Sequence, residues 1–576
     1  MDSRTAAHTL ELIAQFLELK GENQFKVRAY AGAANGVRGL NADDLTPLYE
    51  SGELGKVRGL GPATLAVIGD LIETGESRYL EELRASMPEG LVSMLEVPGL
   101  TPARIHTIYE TLNIDSLDAL EESARDGRLA TLPRFGPKTA AKILDGIGKV
   151  RLRGNLRLFH HAVIEAHRLV EAVRSHPDVI RAELGGAVRR CMEIAGPVIV
   201  VAACRSDPRA VAQSFTRIAG VRSAVGDGAA VSIDFVDGAR LELRCVPPDR
   251  FTVAWFRATG NDAHVDAVLD RLAERRINVE ADQLLDRDDD VIPVDDEPSL
   301  YGLAGLAYVE PEMREGLGEV DAAADDVLPL LIQPADIRGV LHCHTHYSDG
   351  KQSVREMADA ARARGWSYIG ITDHSTAAAF AGGMRRDKVL AQHEEIDELN
   401  ATYTDFRILK GIEADILADG ALDPCDGTLD DFEFVVGSVH SRFAMDGAAM
   451  TDRILTALSD PRLTILGHPT GRKLLARDPY AVDLAAVLER AAELGVSVEL
   501  NSDPRRLDLD WRHLITARKL GLSIEIGPDA HSVPALDNVN VGVALARKAW
   551  LAAENVLNTR SADDILAFAR RRRTAN

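Results

Sequence analysis

The chain has 576 residues, of which 46% are hydrophobic and 27% charged, a length and balance that imply several globular domains rather than one. Its formal net charge of -23 argues against indiscriminate electrostatic binding to nucleic acid, because a polyanion needs local cations to displace its counterions; a neutral or locally basic module remains compatible. The low aromatic content, 5%, argues against a base-stacking platform.

No apolar run is long enough to span a bilayer, and Met1-Asp2-Ser3-Arg4 leads into an amphipathic segment without a signal-peptide pattern, so a cytoplasmic protein with no membrane partner is expected. The five cysteines, Cys191, Cys204, Cys245, Cys343 and Cys425, form no CxxC pair, which suggests neither a disulfide framework nor a zinc knuckle.

Residues 1–150 read as nearly all helix, with glycine-containing turns between short amphipathic runs. One pattern recurs three times: Val57-Arg58-Gly59-Leu60-Gly61-Pro62-Ala63, Val97-Pro98-Gly99-Leu100-Thr101-Pro102-Ala103 and Leu132-Pro133-Arg134-Phe135-Gly136-Pro137-Lys138. Each precedes an apolar helical run. Glycines there let backbone amides at a helix N-terminus approach a phosphate, so binding needs little positive charge. Gly59, Gly61, Gly99, Gly136 and Lys138 are the candidate DNA contacts. Thr101 and Arg134 stand where the first copy has a glycine.

Residues 151–315 mix helices and strands, with strand-like runs at Val198–Cys204, Ala230–Phe235 and Arg240–Val246. Gly316–Asp326 is small and acidic and reads as part of a linker. Strand-length apolar runs then recur at Val340–Cys343, Tyr368–Thr372, Ile408–Ile412, Phe434–Val439, Leu463–Leu466, Val496–Leu500 and Leu522–Ile526, mostly separated by helical stretches. About seven βα units imply a barrel or strongly curved parallel sheet.

Chemistry-bearing residues cluster at the ends of those strands: His342, His344 and Asp349; Asp373 and His374; Glu413 and Asp415; His440; His468; Glu499 and Asn501; Asp529 and His531. In a parallel barrel all these ends open onto one face. Nine mixed N/O donors (His342, His344, Asp349, His374, Glu413, His440, His468, Asp529 and His531) exceed the needs of one ion. Two or three divalent metals are implied, Mn or Zn first and Fe as the further candidate. Such clusters activate water and neutralise charge on a transferring phosphoryl group. Arg472 and Lys473, just beyond His468, are candidate phosphate contacts.

This pattern resembles the PHP (polymerase and histidinol phosphatase) family, with its distorted seven-stranded barrel and three-metal site. The resemblance implies one metal on His342, His344, Glu413 and Asp529, a second on Asp349, His374 and His531, and a third bridged by Glu413 and held with His440 and His468. The hairpin turns resemble helix-hairpin-helix DNA-binding motifs. From about residue 5 to 570 the chain resembles bacterial family X DNA polymerases that end in a PHP exonuclease, on segments such as Leu19-Lys20-Gly21-Glu22-Asn23, Pro311-Glu312-Met313-Arg314-Glu315 and Gly467-His468-Pro469-Thr470-Gly471-Arg472.

The resemblance implies a multidomain α/β chain: 1–85, a helical domain with the first hairpin; 86–150, tandem hairpins; 151–315, a nucleotidyltransferase-like palm and thumb; 316–335, a linker; and 336–576, a distorted (β/α)7 PHP barrel. Its polymerase motif departs from the family. Arg189, Arg190, Glu193 and Gly196 fit, but Ala187 replaces the family serine, Pro197 and Ile199 replace the paired metal-binding aspartates, and the third carboxylate survives only as Glu242. Neither proline nor isoleucine ligates a metal through its side chain, so polymerase catalysis is expected to be lost. Val67 stands at the position of the lyase lysine, so lyase chemistry is not expected. The resulting expectation is a DNA-repair 3′-5′ exonuclease, or an abasic-site endonuclease, acting on gapped DNA or DNA with a 3′ end. An active polymerase, a phosphatase of a small phosphomonoester and a non-enzymatic DNA scaffold are the alternatives.

Overall fold

Three turns near the N-terminus close on the same hydrogen bond: Leu60 N donates to Val57 O at 3.1 Å, Leu100 N to Val97 O at 3.0 Å, and Phe135 N to Leu132 O at 3.1 Å. Each leads into a helix that begins with proline, namely Pro62–Thr74, Pro102–Leu112 and Pro137–Gly154. Proline suits the first helical position because its φ is preset and its missing N–H would have no intrahelical partner there. Thr101 fits in place of a glycine because its backbone is extended, with φ -103°, and its hydroxyl caps Arg104 N.

The computed structural model describes residues 3–40, 44–74, 77–95, 97–133, 135–154, 156–236 and 238–574; Arg134 lies outside them. It divides into two units, Met1–Asn155 and Leu156–Asn576. The first is helical throughout and builds two cores. One gathers apolar residues from Ala6 to Leu83, and the other joins Leu19 to residues between Leu91 and Ile147.

In the second unit a five-stranded sheet holds Val198–Cys204 between Val179–Leu184, antiparallel, and Arg240–Val246, parallel; Ala230–Phe235 and Val221–Val225 complete it. The segment 316–335 departs from an open linker. It carries the helix Glu319–Ala324, and the buried Glu319 carboxylate accepts from Gly316 N and Leu317 N and lies 2.6 Å from His264 Nδ1. That partner lies 55 residues away in sequence, so local composition could not disclose the packing.

The last seven strands form one parallel sheet in chain order: Gly339–Val340, Tyr368–Ile371, Arg407–Asp415, Phe434–Ser438, Ile465–Leu466, Ser497–Asn501 and Ile524–Gly527. The first ladder is shorter than expected, but the chain continues extended, and Cys343 makes a parallel bridge to Ala530 that joins the two ends of the sheet. Side chains alternate as strand geometry demands. Tyr368, Leu409, Phe434 and Val436 pack in one core with Leu557 and Ile565 from the C-terminal segment, whereas Ile369, Ile408 and Val435 join the larger core shared with the helices. Gly370 and Gly411 make room for Phe434: a Cβ on either would stand 2.6 or 2.3 Å from its Cζ. Outside the sheet, Val354–Ala363 starts on a capping box between Ser353 and Glu356 and buries Val354, Met357, Ala358 and Ala361. No helix among the described residues is long and apolar enough to cross a membrane.

Candidate metal centre

Glu413, buried near the end of the third barrel strand, lies within salt-bridge distance of five imidazoles: His374 at 2.9 Å, His468 at 3.0 Å, His440 at 3.3 Å, His342 at 3.5 Å and His344 at 3.7 Å. Asp529 approaches His344 at 3.3 Å and His342 at 3.7 Å, while Asp349 approaches His531 at 3.3 Å and His374 at 3.7 Å. The nine donors read from the sequence therefore converge in one cleft. Three groups have ligand atoms close enough to share an ion: His344, Asp349, His374 and His531; His342, His344 and Asp529; His374, Glu413 and His440. This differs from the grouping implied by family resemblance. His344 and His374 each enter two groups, and His468 reaches Glu413 without entering any.

Backbone geometry turns two donors inward. Asp529 and His468 have positive φ, 48° and 22°, in a region that L-residues rarely occupy and that clusters at functional sites. Supporting acceptors orient the rings: His342 Nδ1 lies 2.6 Å from Glu499 Oε1, His440 Nδ1 2.7 Å from Asp415 Oδ1, and His531 Nδ1 2.8 Å from the Asp529 carbonyl. Each leaves Nε2 available to the centre. Buried Asp373 accepts from Thr345, Ser348 and Gln392, fixing the turn between His344 and Asp349. Glu499, Asp415 and Asp373 were visible as strand-end carboxylates, but nothing in the sequence assigned them these roles.

The donors fit divalent ions. His342 Nε2, both ring nitrogens of His344, Asp349 Oδ1, Glu413 Oε2 and His468 Nδ1 are buried without a hydrogen bond, an arrangement costly in an ordinary core and satisfied by a bound cation. Burial, aided by neighbouring positive groups, pushes His344 and His468 down to about 3, which favours the neutral, ligating ring. At His440 and His531 burial is overcome by the carboxylates of Glu413 and Asp415 and of Asp349 and Asp529, which draw the rings up to about 10 and about 9. Burial works to raise the Glu413 pKa, but the imidazoles of His440, His374 and His342 overcome it and hold the carboxylate well below its usual range.

The candidate phosphate contacts divide. Gly59, Gly99 and Gly136 are exposed and, among the described residues, their amides donate no hydrogen bond; Lys138 is exposed in the first turn of its helix. The Gly61 N–H is taken by the Thr64 hydroxyl at 2.9 Å. Lys473 is exposed, but Arg472 is not. It is buried, donates to the carbonyls of Arg506 and Leu507 and to Asp510 Oδ2, and pairs with Glu193 at 3.4 Å. Its donors are used within the protein, which corrects its reading as a DNA contact. Val67 is buried in the core of its helix.

In the five-stranded sheet, Ile199 and Glu242 are register partners on adjacent parallel strands. They line a cavity of about 460 Å³ with Val225, Val231, Leu243 and Ala258. Gly186 has φ 63°, and a Cβ there would meet Ile199 Cδ1 at 2.7 Å. Ala187 packs against the apolar core of this sheet. Pro197 immediately precedes the strand that carries Ile199. Arg190 pairs with Glu315 at 2.9 Å and donates to the Thr259 carbonyl.

A parallel barrel whose strand ends gather nine metal-type donors, joined in one chain to helix-hairpin-helix modules, defines a metal-dependent phosphoesterase of the PHP class. Residues 341–502 match the PHP domain family, 1–77 a helix-hairpin-helix domain and 91–149 a SAM-like helix-hairpin-helix tandem. The DNA polymerase/3'-5' exonuclease PolX of Bacillus subtilis (strain 168) is 33% identical over 576 residues, covering 99% of this chain and 100% of that protein. The chain belongs to the PolX family of DNA polymerase/3′-5′ exonucleases. A protein named "Probable phosphatase" from Thermoanaerobacter sp. (strain X514) is 30% identical over 236 residues, 38% of this chain and 90% of its own length, and one from Caldanaerobacter subterraneus subsp. tengcongensis is 27% identical over 250 residues, 41% of this chain and 93% of its own length.

Proposed function

We propose that the protein is a metal-dependent 3′-5′ exonuclease that degrades DNA, and that its polymerase activity is lost. The observation that carries this reading is the contrast between two sites of one chain. Nine donors, Glu413 among them, converge in one site, while Pro197 and Ile199 stand where the family's metal-binding aspartates belong. Two or three ions, Mn or Zn first, would be held by His342, His344 and Asp529, by His344, Asp349, His374 and His531, and by His374, Glu413 and His440, with His468 beside Glu413. When bound, such ions supply an activated water and neutralise charge on the transferring phosphoryl group. Glu499 and Asp415 hold the rings of His342 and His440 in orientation. The exposed turn amides of Gly59, Gly99 and Gly136 suit phosphates of DNA, gapped or with a 3′ end, for which a cytoplasmic repair role is the natural setting.

The phosphatases that match only the C-terminal part favour a second reading, hydrolysis of a small phosphomonoester. The two readings separate in one assay with the full chain and Mn or Zn, using 3′-recessed and gapped labelled duplexes beside a mononucleotide. Stepwise shortening from the 3′ end supports the exonuclease. Release of phosphate from the mononucleotide with the duplexes intact supports the phosphatase.

A further inference from the structure

A second class of cation sits beside the donors. The loop between the sixth barrel strand and the helix Trp511–Lys519 is pinned at its base by reciprocal hydrogen bonds between the backbones of Asn501 and Asp508. It carries Arg506, whose side chain is 15% exposed and whose Nε lies 3.4 Å from Asp529 Oδ2. The buried arginines Arg314 and Arg472 spend their guanidinium groups on the protein. Arg314 donates to the Val309 carbonyl, Glu297 and Tyr308, and Arg472 to the acceptors described above. Among the described residues, the Arg506 guanidinium donates no hydrogen bond and has the Asp529 contact as its one ion pair. A planar fork with unspent donors at the edge of a metal cluster matches the non-bridging oxygens of a phosphoester.

The support for this loop comes from outside the barrel. Arg472 donates to the backbone carbonyls of Arg506 and Leu507. Its guanidinium is in turn met by Glu193 of the palm, which also accepts from Trp511 Nε1 at 3.1 Å. The contacts run from Glu193, a carboxylate of the polymerase signature, through Arg472 to the backbone of the loop that carries Arg506 beside Asp529.

Resting on the phosphoesterase reading, we infer that Arg506 binds the scissile phosphate and that the palm, through Glu193 and Arg472, holds it in position. Arg506 is then a substrate contact and Glu193 a positioning residue. The palm retains a use in hydrolysis that does not depend on nucleotidyl transfer.

The test uses the full chain loaded with Mn, with metal content measured beside hydrolysis of an aryl phosphodiester and its competitive inhibition by inorganic phosphate. Arg506→Ala is expected to keep its metals and to raise the inhibition constant for phosphate roughly 10- to 100-fold, the loss of a charge-assisted contact. Arg506→Lys should recover part of it. Arg506→Gln carries the same test should the alanine variant fail to fold. Glu193→Gln should raise the constant by a smaller factor, with no added effect in an Arg506→Ala background. Unchanged phosphate inhibition in Arg506→Ala, or loss of metal, overturns the phosphate assignment; additive effects of the two changes overturn the palm link. Wild-type protein that cleaves the aryl ester but not DNA would sink the exonuclease reading alone and leave this one intact.

Discussion

Glu499 Oε1 stands 2.6 Å from Nδ1 of His342, with both side chains fully buried. The carboxylate fixes which ring nitrogen faces the centre, as acidic residues behind ligating histidines commonly do. Glu499→Gln should lower metal affinity by roughly 10- to 100-fold, measured by titrating metal into the stripped protein. Unchanged affinity would mean that His342 is oriented by packing alone.

Replacing His342 and His344 together by alanine should remove bound metal and abolish hydrolysis while leaving DNA binding by the N-terminal unit in place. Metal analysis, an aryl phosphodiester assay and a binding titration measure the three quantities. Full nuclease activity in the double variant would refute the site.

Primer extension by the purified protein should be absent with any divalent metal, because Ile199 and Pro197 offer no side-chain ligand and Glu242 is left with Ile199 as its register partner on the adjacent strand. Robust templated incorporation that disappears in Glu242→Ala would show that the palm is active.

The two glycines of the first hairpin should differ. Gly59 has φ 99°, and a Cβ there would meet the Gly32 carbonyl oxygen at 2.9 Å; Gly61 has open space around it. Gly59→Val should destabilise the N-terminal unit by about 1–3 kcal/mol and weaken DNA binding. Gly61→Ala should have much less effect, and neither should alter aryl-ester hydrolysis. Thermal unfolding with a DNA titration at fixed salt checks this. Equal losses at both positions would contradict it.

Glu297 is buried between Arg189 and Arg314, with contacts of 2.6 Å to each. Burial alone would raise its pKa, but the two guanidiniums pull it down to about 2. A depressed carboxylate pKa stabilises the fold above the unfolded-state value, near 4.5, and that contribution is lost as pH falls toward 2. Glu297→Gln should therefore cost about 3 kcal/mol or more at pH 7. The gap from wild type should narrow as pH drops through this window, as denaturant melts at several pH values would record. A gap independent of pH would assign the cost to packing.

Much of the barrel was legible because its strands are short apolar runs and its chemistry stands at their ends. His342 through His531 could be collected without knowing any contact. The hairpins were legible because one residue pattern recurs three times, and each copy closes on the same turn hydrogen bond. Partners distant in sequence were not legible. Arg472 looked like a free cation after His468, and only the fold sets Asp510 and Glu193 against it. Arg506 is not legible for the complementary reason, since nothing local marks a guanidinium whose donors are unspent. Glu319 made its segment look like a linker until His264 supplied the buried partner.

The bridge between Cys343 and Ala530 joins the first strand of the barrel to the turn after the last. His342 and His344 are made early in the synthesis of this domain, whereas Asp529 and His531 leave the ribosome near its end. Pairings so distant in sequence form slowly and only when both partners exist. The nascent chain thus passes through a long interval in which it carries isolated histidines but no complete pocket. Acquisition of the full metal complement belongs to the closing stage of folding, and a chain cut short before the seventh strand would leave translation without a competent centre.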